Sequence, residues 1–155
     1  MNPHPTDRDV AVKELEGALL DLMSEFRRFY AHAAELISPG MAVGTFRALI
    51  MVDRMGPTTV SAVAERLRLD KGLCSRHVSD LVRLGLVDRV VDQADRRVRR
   101  LVVTPEATRR LDAVRVSYEH MMAGGLGDWP VDQVERLSSL ITDLAAGLRA
   151  TPAGG

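Results

Sequence analysis

Apolar residues recur at Leu15, Leu19, Leu22, Phe26, Phe29, Ala33 and Leu36, in steps that alternate four and three. That spacing predicts a helix with a single apolar seam, about six turns long. Thr6, with Asp9 three residues on, supplies a capping box for its start. Ser38-Pro39-Gly40 breaks it. A seam of this length exceeds what so small a domain needs, so the helix is expected to pack on more than its own domain.

The pattern continues in short helices. A second helix is predicted from Thr45 to Met55, with Phe46, Leu49, Ile50 and Val52 toward the core and Gly56-Pro57 as its stop. Thr59 caps a short helix from Val60 to Leu67 that turns Val60, Val63, Ala64 and Leu67 inward. Asp70 caps the next, which is expected to end at Gly85 with Leu73, Cys74, Val78, Leu81 and Val82 inward. Its opposite face carries Lys71, Gly72, Ser75, Arg76, Ser79 and Arg83. Two β-branched runs follow, Leu86 to Val91 and Leu101 to Thr104, around the polar turn Asp92-Gln93-Ala94-Asp95, which reads as a β-hairpin. Thr104-Pro105-Glu106 opens a further helix to Met122 with a cap, a first-turn proline and an acid at the positive end. Gly124, Gly125 and Gly127 are expected to separate it from a last helix, Val131 to Arg149, lined by Val134, Leu137, Ile141, Leu144 and Leu148. The tail from Thr151 is expected to fray. The fold class is mainly α with a small β-hairpin.

Composition narrows the function classes. The 155 residues are 46% hydrophobic, with few aromatics, so Leu, Val, Ala and Met supply most of the core. No apolar run approaches the roughly 18–20 residues of a membrane span. The opening Met1-Asn2-Pro3-His4-Pro5 lacks the regions of a signal peptide. A single cysteine gives no disulfide framework, and a cytoplasmic protein without membrane partners is expected. Net charge is zero, yet residues 66–100 hold ten basic and five acidic side chains. That segment is therefore +5 and the remainder −5, which suggests one basic face on an acidic molecule. Arginine outnumbers lysine 19 to 2, a bias that genome composition alone can produce.

The basic segment is concentrated in the hairpin, where Arg96, Arg97, Arg99 and Arg100 occupy four of five positions. An arginine-tipped hairpin suits phosphates or a narrow minor groove, although a solvated charged turn has the same composition. What precedes it decides the matter. Two short helices joined by Arg68-Leu69-Asp70, followed by this hairpin, form a winged helix-turn-helix. The second helix presents small and basic residues, Lys71, Gly72, Ser75, Arg76, Ser79 and Arg83, which let it enter a major groove and reach base edges or phosphates. Arg96, Arg97 and Arg99 join them as candidate DNA contacts.

At these residues the chain resembles the MarR family of transcriptional regulators, and the resemblance covers nearly its whole length. Ala64-Glu65-Arg66-Leu67-Arg68-Leu69 is similar to the family's turn into the recognition helix. Ser75 to Arg89 resembles its recognition helix and first wing strand. Asp92 to Arg97, continuing through Leu101-Val102-Val103-Thr104-Pro105-Glu106, resembles its signature wing, with the Asp-x-Arg element on Asp95 and Arg97. Ala107 stands where a glycine is common, a change that helix propensity tolerates. The resemblance implies a homodimer with intertwined first and last helices, gripping a pseudo-palindromic double-stranded DNA operator. It implies release by a small, often aromatic or phenolic, effector. The corresponding boundaries are 1–37 for the N-terminal dimerisation helix, 43–104 for the DNA-binding domain and 105–150 for the C-terminal dimerisation helices.

The remaining chemistry-bearing residues are sparse. Phe29, Tyr30, His32, Phe46, Arg47, Met51 and Tyr118 are candidates for a ligand pocket near the first, second and fifth helices, with Arg47 placed to hold a carboxylate; ordinary core with an exposed arginine reads the same. Cys74, between apolar neighbours, is expected to be inert rather than a peroxide sensor. His4, His32, His77 and His120 are scattered without a ligating spacing, so no metal site is expected, and His77 is assigned to packing or a phosphate. No cofactor is expected, and no enzyme motif appears: no phosphate loop, no nucleophile elbow, and no strand-to-helix setting for Gly124-Gly125-Leu126-Gly127. The alternatives are a winged helix that docks proteins, a redox regulator using Cys74, and a repressor without an effector.

Overall fold

The computed structural model describes residues 6–150, so the expectations for residues 1–5 and 151–155 lie outside the described residues. Six helices and one hairpin follow in the order α1 (Asp7–Ile37), α2 (Val43–Met55), α3 (Val60–Leu67), α4 (Lys71–Arg83), β1 (Val87–Val91), β2 (Arg99–Val103), α5 (Pro105–Leu126) and α6 (Val131–Ala150). The chain divides into two compact units, Met1–Val116 and Ser117–Gly155.

Local chemistry sets the ends of these elements. Asp9 N–H donates to Thr6 Oγ1 at 3.2 Å while Thr6 N–H donates to the Asp9 carboxylate at 2.9 Å, the reciprocal capping box. Those bonds to Thr6 also hold the Asp9 carboxyl below its ordinary pKa. Thr59 accepts from Ala62 N–H and Asp70 from Leu73 N–H. Thr104 Oγ1 accepts from Ala107 N–H at 3.2 Å and donates to the Gly85 carbonyl at 2.8 Å, so one hydroxyl caps α5 and ties it to the end of α4. Arg68 ends α3 in the left-handed region, at φ 53°.

The first unit has its core where the end of α1, α2, α3, α4, the hairpin and the start of α5 converge. Ala33, Ala34, Ile37, Phe46, Leu49, Val52, Val63, Val78, Leu81, Leu86 and Leu101 are fully or almost fully buried there. The hairpin is antiparallel, with Val87 opposite Val103 and Val91 opposite Arg99. Thr58 lies along the other edge of β2, exchanging both backbone hydrogen bonds with Leu101. β2 is thus held on two sides and anchors the hairpin to the helices. In the second unit α6 contains no buried residue.

Several expectations change. α2 begins two residues earlier than predicted, at Val43. α4 ends at Arg83 rather than Gly85, with the reversal made by Gly85 at φ +68°. α5 does not stop at Met122; it runs through Gly124 and Gly125 to Leu126, and the break falls at Gly127, at φ +52°. Glycine weakens a helix by about 1 kcal/mol but does not forbid helical torsions. Only a residue that needs positive φ enforces the stop. Leu73 and Val82 lie on the flanks of α4, 36% and 37% exposed, rather than inward with Cys74, Val78 and Leu81. Along α1 the buried face is Ala33, Ala34 and Ile37, whereas seam residues Leu15, Leu22 and Leu36 are exposed.

Candidate nucleic-acid interface

α4 meets the core through Cys74, Val78 and Leu81, all fully buried. Helical spacing then turns Gly72, Arg76, Ser79 and Arg83 to the opposite side, and all four are exposed. Lys71 is exposed as well and Ser75 is half-buried. Gly72 follows the N-cap closely: a Cβ there would lie 3.0 Å from the Asp70 carboxylate oxygen. His77 faces α2, with Nδ1 3.0 Å from Thr45 Oγ1 and its ring against Gly44, where a Cβ would come within 2.8 Å. His77 therefore packs α4 onto α2. Arg83 pairs with Asp80 at 3.0 Å. Both residues line a cleft of about 220 Å³ that also includes Met41 and Thr45.

The structure sorts the hairpin arginines by what each touches. Arg100 Nε donates to the Asp92 carboxylate, which also accepts the Ala94 and Asp95 N–H groups at 2.8 and 3.0 Å. Arg100 Nη1 reaches the Pro57 carbonyl at 3.4 Å. This arginine braces the turn. Its bond, with the two backbone donors, holds the Asp92 carboxyl below the ordinary carboxylate pKa. Arg97 folds back on Asp95, whose Oδ1 accepts its backbone N–H at 3.0 Å and its Nε at 3.2 Å. The same contacts lower the Asp95 pKa. Even so, the Arg97 side chain is 92% exposed, so the pair orients it without covering it. Arg99 Nη1 donates to the Arg96 carbonyl at 3.0 Å, and Arg96 and Arg99 are exposed.

One contact that no local spacing encodes joins the two halves of this surface. Arg89, on β1, donates from Nη2 to Ser79 Oγ at 3.2 Å. The basic character of Arg89 is visible in the sequence. Its partner is not, because the contact exists only once β1 returns beside α4.

The candidate ligand residues are less concentrated. Phe46 is fully buried, with the Tyr30 ring 5.9 Å away and half-buried above it. Met51 is half-buried, His32 and Arg47 are exposed, and Tyr118 is exposed within the second unit. None of them lines the cleft beside Arg83. Cys74 is fully buried, its Sγ 3.6 Å from the Val60 carbonyl, and burial raises its thiol pKa. No group of acidic, histidine and cysteine side chains able to hold a metal occurs among the described residues. No described helix is long and apolar enough to cross a membrane.

Comparison with known proteins agrees with this geometry. Residues 40–98 match the family model described as the MarR family. A sequence comparison with curated proteins gives no match. Among solved structures, the Staphylococcus aureus MarR protein solved with salicylate and kanamycin superposes with a TM-score of 0.77 at 14% identity, over 92% of this chain and 96% of its own. A MarR family protein from Bacillus stearothermophilus gives 0.74 at 20% identity, over 94% and 99%. Streptococcus pneumoniae FabT, solved in complex with DNA, gives 0.72 at 16% identity, over 87% and 97%. The MarR family model thus covers the helix-turn-helix and most of the wing, and the solved structures share the fold over nearly the whole chain.

Proposed function

We propose that this protein is a sequence-specific DNA-binding transcriptional regulator, a repressor that grips a pseudo-palindromic operator as a homodimer. The observation that carries this reading is the continuous exposed surface made by α4 and the hairpin, joined through Arg89 and Ser79. Lys71, Gly72, Ser75, Arg76, Ser79 and Arg83 form its groove-facing part; Arg96, Arg97 and Arg99 form its phosphate- or minor-groove-facing part. The relative solved with DNA supports the assignment. Arg76 supplies base preference, and Arg96 and Arg97 supply affinity across sequences.

Fluorescence anisotropy on duplex DNA at 50 and 200 mM salt tests it. Neutralising several phosphates should cost about 10³-fold or more in affinity over that range. Arg76→Ala should relax base preference by about 1–3 kcal/mol at one position. Arg97→Ala should weaken binding to all sequences, or to sites with AT-rich flanks if the side chain enters the minor groove. Salt-independent binding, or equal sequence-independent losses from both substitutions, would reject this division of labour.

Release by a small aromatic or phenolic ligand is the accompanying regulatory reading. It is supported by the half-buried Tyr30 ring over Phe46, by the exposed Arg47 next in sequence, and by the relative solved with salicylate. A ligand that prefers a different spacing of the two recognition helices must weaken DNA binding by linkage. Salicylate titrated into the DNA complex should release it, and Arg47→Ala should raise the concentration needed. Equal release of wild type and Arg47→Ala would remove Arg47 from the site.

A further inference from the structure

We propose that α4 reads guanine. Its exposed face donates hydrogen bonds and accepts almost none, so the half-site it specifies is fixed by the N7 and O6 acceptors of a guanine. The proposal rests on the DNA-binding reading above and adds which base edge that surface selects.

The argument begins with what α4 lacks. Lys71–Arg83 contains no Asn, Gln or Glu. Asn and Gln pair bidentately with adenine, which shows an acceptor and a donor side by side; Glu and Asp accept from the cytosine amino group. Lys71 and Arg76 can only donate. The two carboxylates next to the face are each partly occupied by a partner on α4 itself. The Asp70 carboxylate takes the Leu73 N–H at 3.0 Å, and Asp80 takes Arg83 Nη2 at 3.0 Å. His77, turned toward α2, shares its Nδ1 with Thr45.

Two members of the face, the half-buried Ser75 and the exposed Ser79, have a polarity open from sequence, because a hydroxyl both donates and accepts. Arg89 biases Ser79 toward donating. The guanidinium has no acceptor, so its 3.2 Å bond uses a lone pair of Ser79 Oγ, and the cation beside that oxygen turns the hydroxyl proton away. Ser79 then joins Arg76, three residues before it on the same face, as a donor. Gly72, four residues before Arg76, adds no side chain on that face and lets the helix approach the base edges. Guanine is the base whose major-groove edge offers two adjacent acceptors and no donor, and the arginine fork matches it. Arg89 is a positioning residue: it acts on the base through Ser79.

The test is selection by the full-length protein from duplexes with a randomised core, followed by atomic substitution in the selected site. A guanine should be fixed in each half-site. Replacing it with 7-deazaguanine, which keeps the base pair but removes N7, should weaken wild-type binding about five-fold or more. That measurement uses the unaltered protein and does not depend on any variant folding. Ser79→Ala and Arg89→Ala should each relax one neighbouring position while the guanine stays fixed, and Arg89→Lys should restore it. Selected half-sites without a fixed guanine, or indifference to 7-deazaguanine, would overturn the guanine reading and leave DNA binding standing. Loss of the neighbouring preference in Ser79→Ala but not in Arg89→Ala would overturn the role of Arg89. A pool no different from its input would overturn both this proposal and the function on which it rests.

Discussion

At Asp92 three donors converge on one carboxylate: the Ala94 and Asp95 amides and the Arg100 guanidinium. All three bonds favour the charged form, so the folded pKa is depressed. A depressed acid contributes stability above its ordinary value, near 3.8, and loses it as pH falls through the lower folded value. The turn should therefore keep its order through neutral pH and lose this bracing only in strong acid. Arg100→Ala removes the largest cause. Carboxyl titration followed by NMR should show Asp92 moving up toward the ordinary range in that variant, while Asp95, held mainly by Arg97, moves little. An unchanged Asp92 titration would mean that Arg100 does not brace the turn. Cys74 presents the opposite case. Burial keeps its thiol protonated, and reactivity follows the thiolate. Cys74→Ser should cost about 1–2 kcal/mol for burying a hydroxyl in a site shaped for sulfur. Electrophoretic shifts with and without peroxide should be the same for both proteins. Release of wild type alone by peroxide would make the chain a redox sensor.

Between elements, α2 comes close to α4 at Gly44. A Cβ there would lie 2.8 Å from two atoms of the His77 imidazole, which Thr45 holds from the side. Gly44→Ala should thus push His77 off Thr45 and cost about 1–2 kcal/mol, despite alanine's better helix propensity. In a His77→Ala background the same change should be neutral or stabilising. Denaturation midpoints of the four proteins in this cycle measure the coupling, and additive effects would show that the contact carries no energy. This contact also marks how far the sequence could be read. Caps at Thr6, Thr59, Asp70 and Thr104 were legible because they depend on residues three apart, and the hairpin was legible from its β-branched runs. What pairs distant segments was not. Arg110 of α5 donates to the Ile37 carbonyl at the end of α1, a helix with no basic residue in its last turn, and Arg115 reaches Asp53 of α2 at 2.6 Å. Nothing in local spacing encodes those bonds, the Arg89–Ser79 contact, or the bracing by Arg100. The glycines of α5 show a related limit: composition marks where a helix is weakened, whereas the sign of φ marks where it ends.

In the molecule as a whole, much apolar surface of the described residues is left outside the first unit's core. On α1, Leu15 and Leu22 are 48% and 46% exposed, and on α6, Ile141 and Leu148 are 47% and 67% exposed. Burying a leucine is worth about 1.5–3 kcal/mol, so two such helices leave a large driving force unspent in a lone chain. A second copy of the chain would use it, which is the basis of the homodimer proposed above. Geometry adds a functional requirement. A two-fold dimer fills successive major grooves on one face of DNA only if its two recognition helices lie about 34 Å apart. A monomer holds a single half-site and forfeits the gain of simultaneous engagement. Leu15→Asp combined with Leu22→Asp places charge in the seam without touching the first unit's core, since neither leucine is buried. Sedimentation should show the wild type as a dimer and the double variant as a monomer with unchanged helical content. Its affinity for a full operator should fall by at least about ten-fold, while its affinity for an isolated half-site should stay near that of wild type. A wild type that sediments as a monomer, or a monomeric variant with full operator affinity, would sink the dimer, and the operator would then have to be read one half-site at a time.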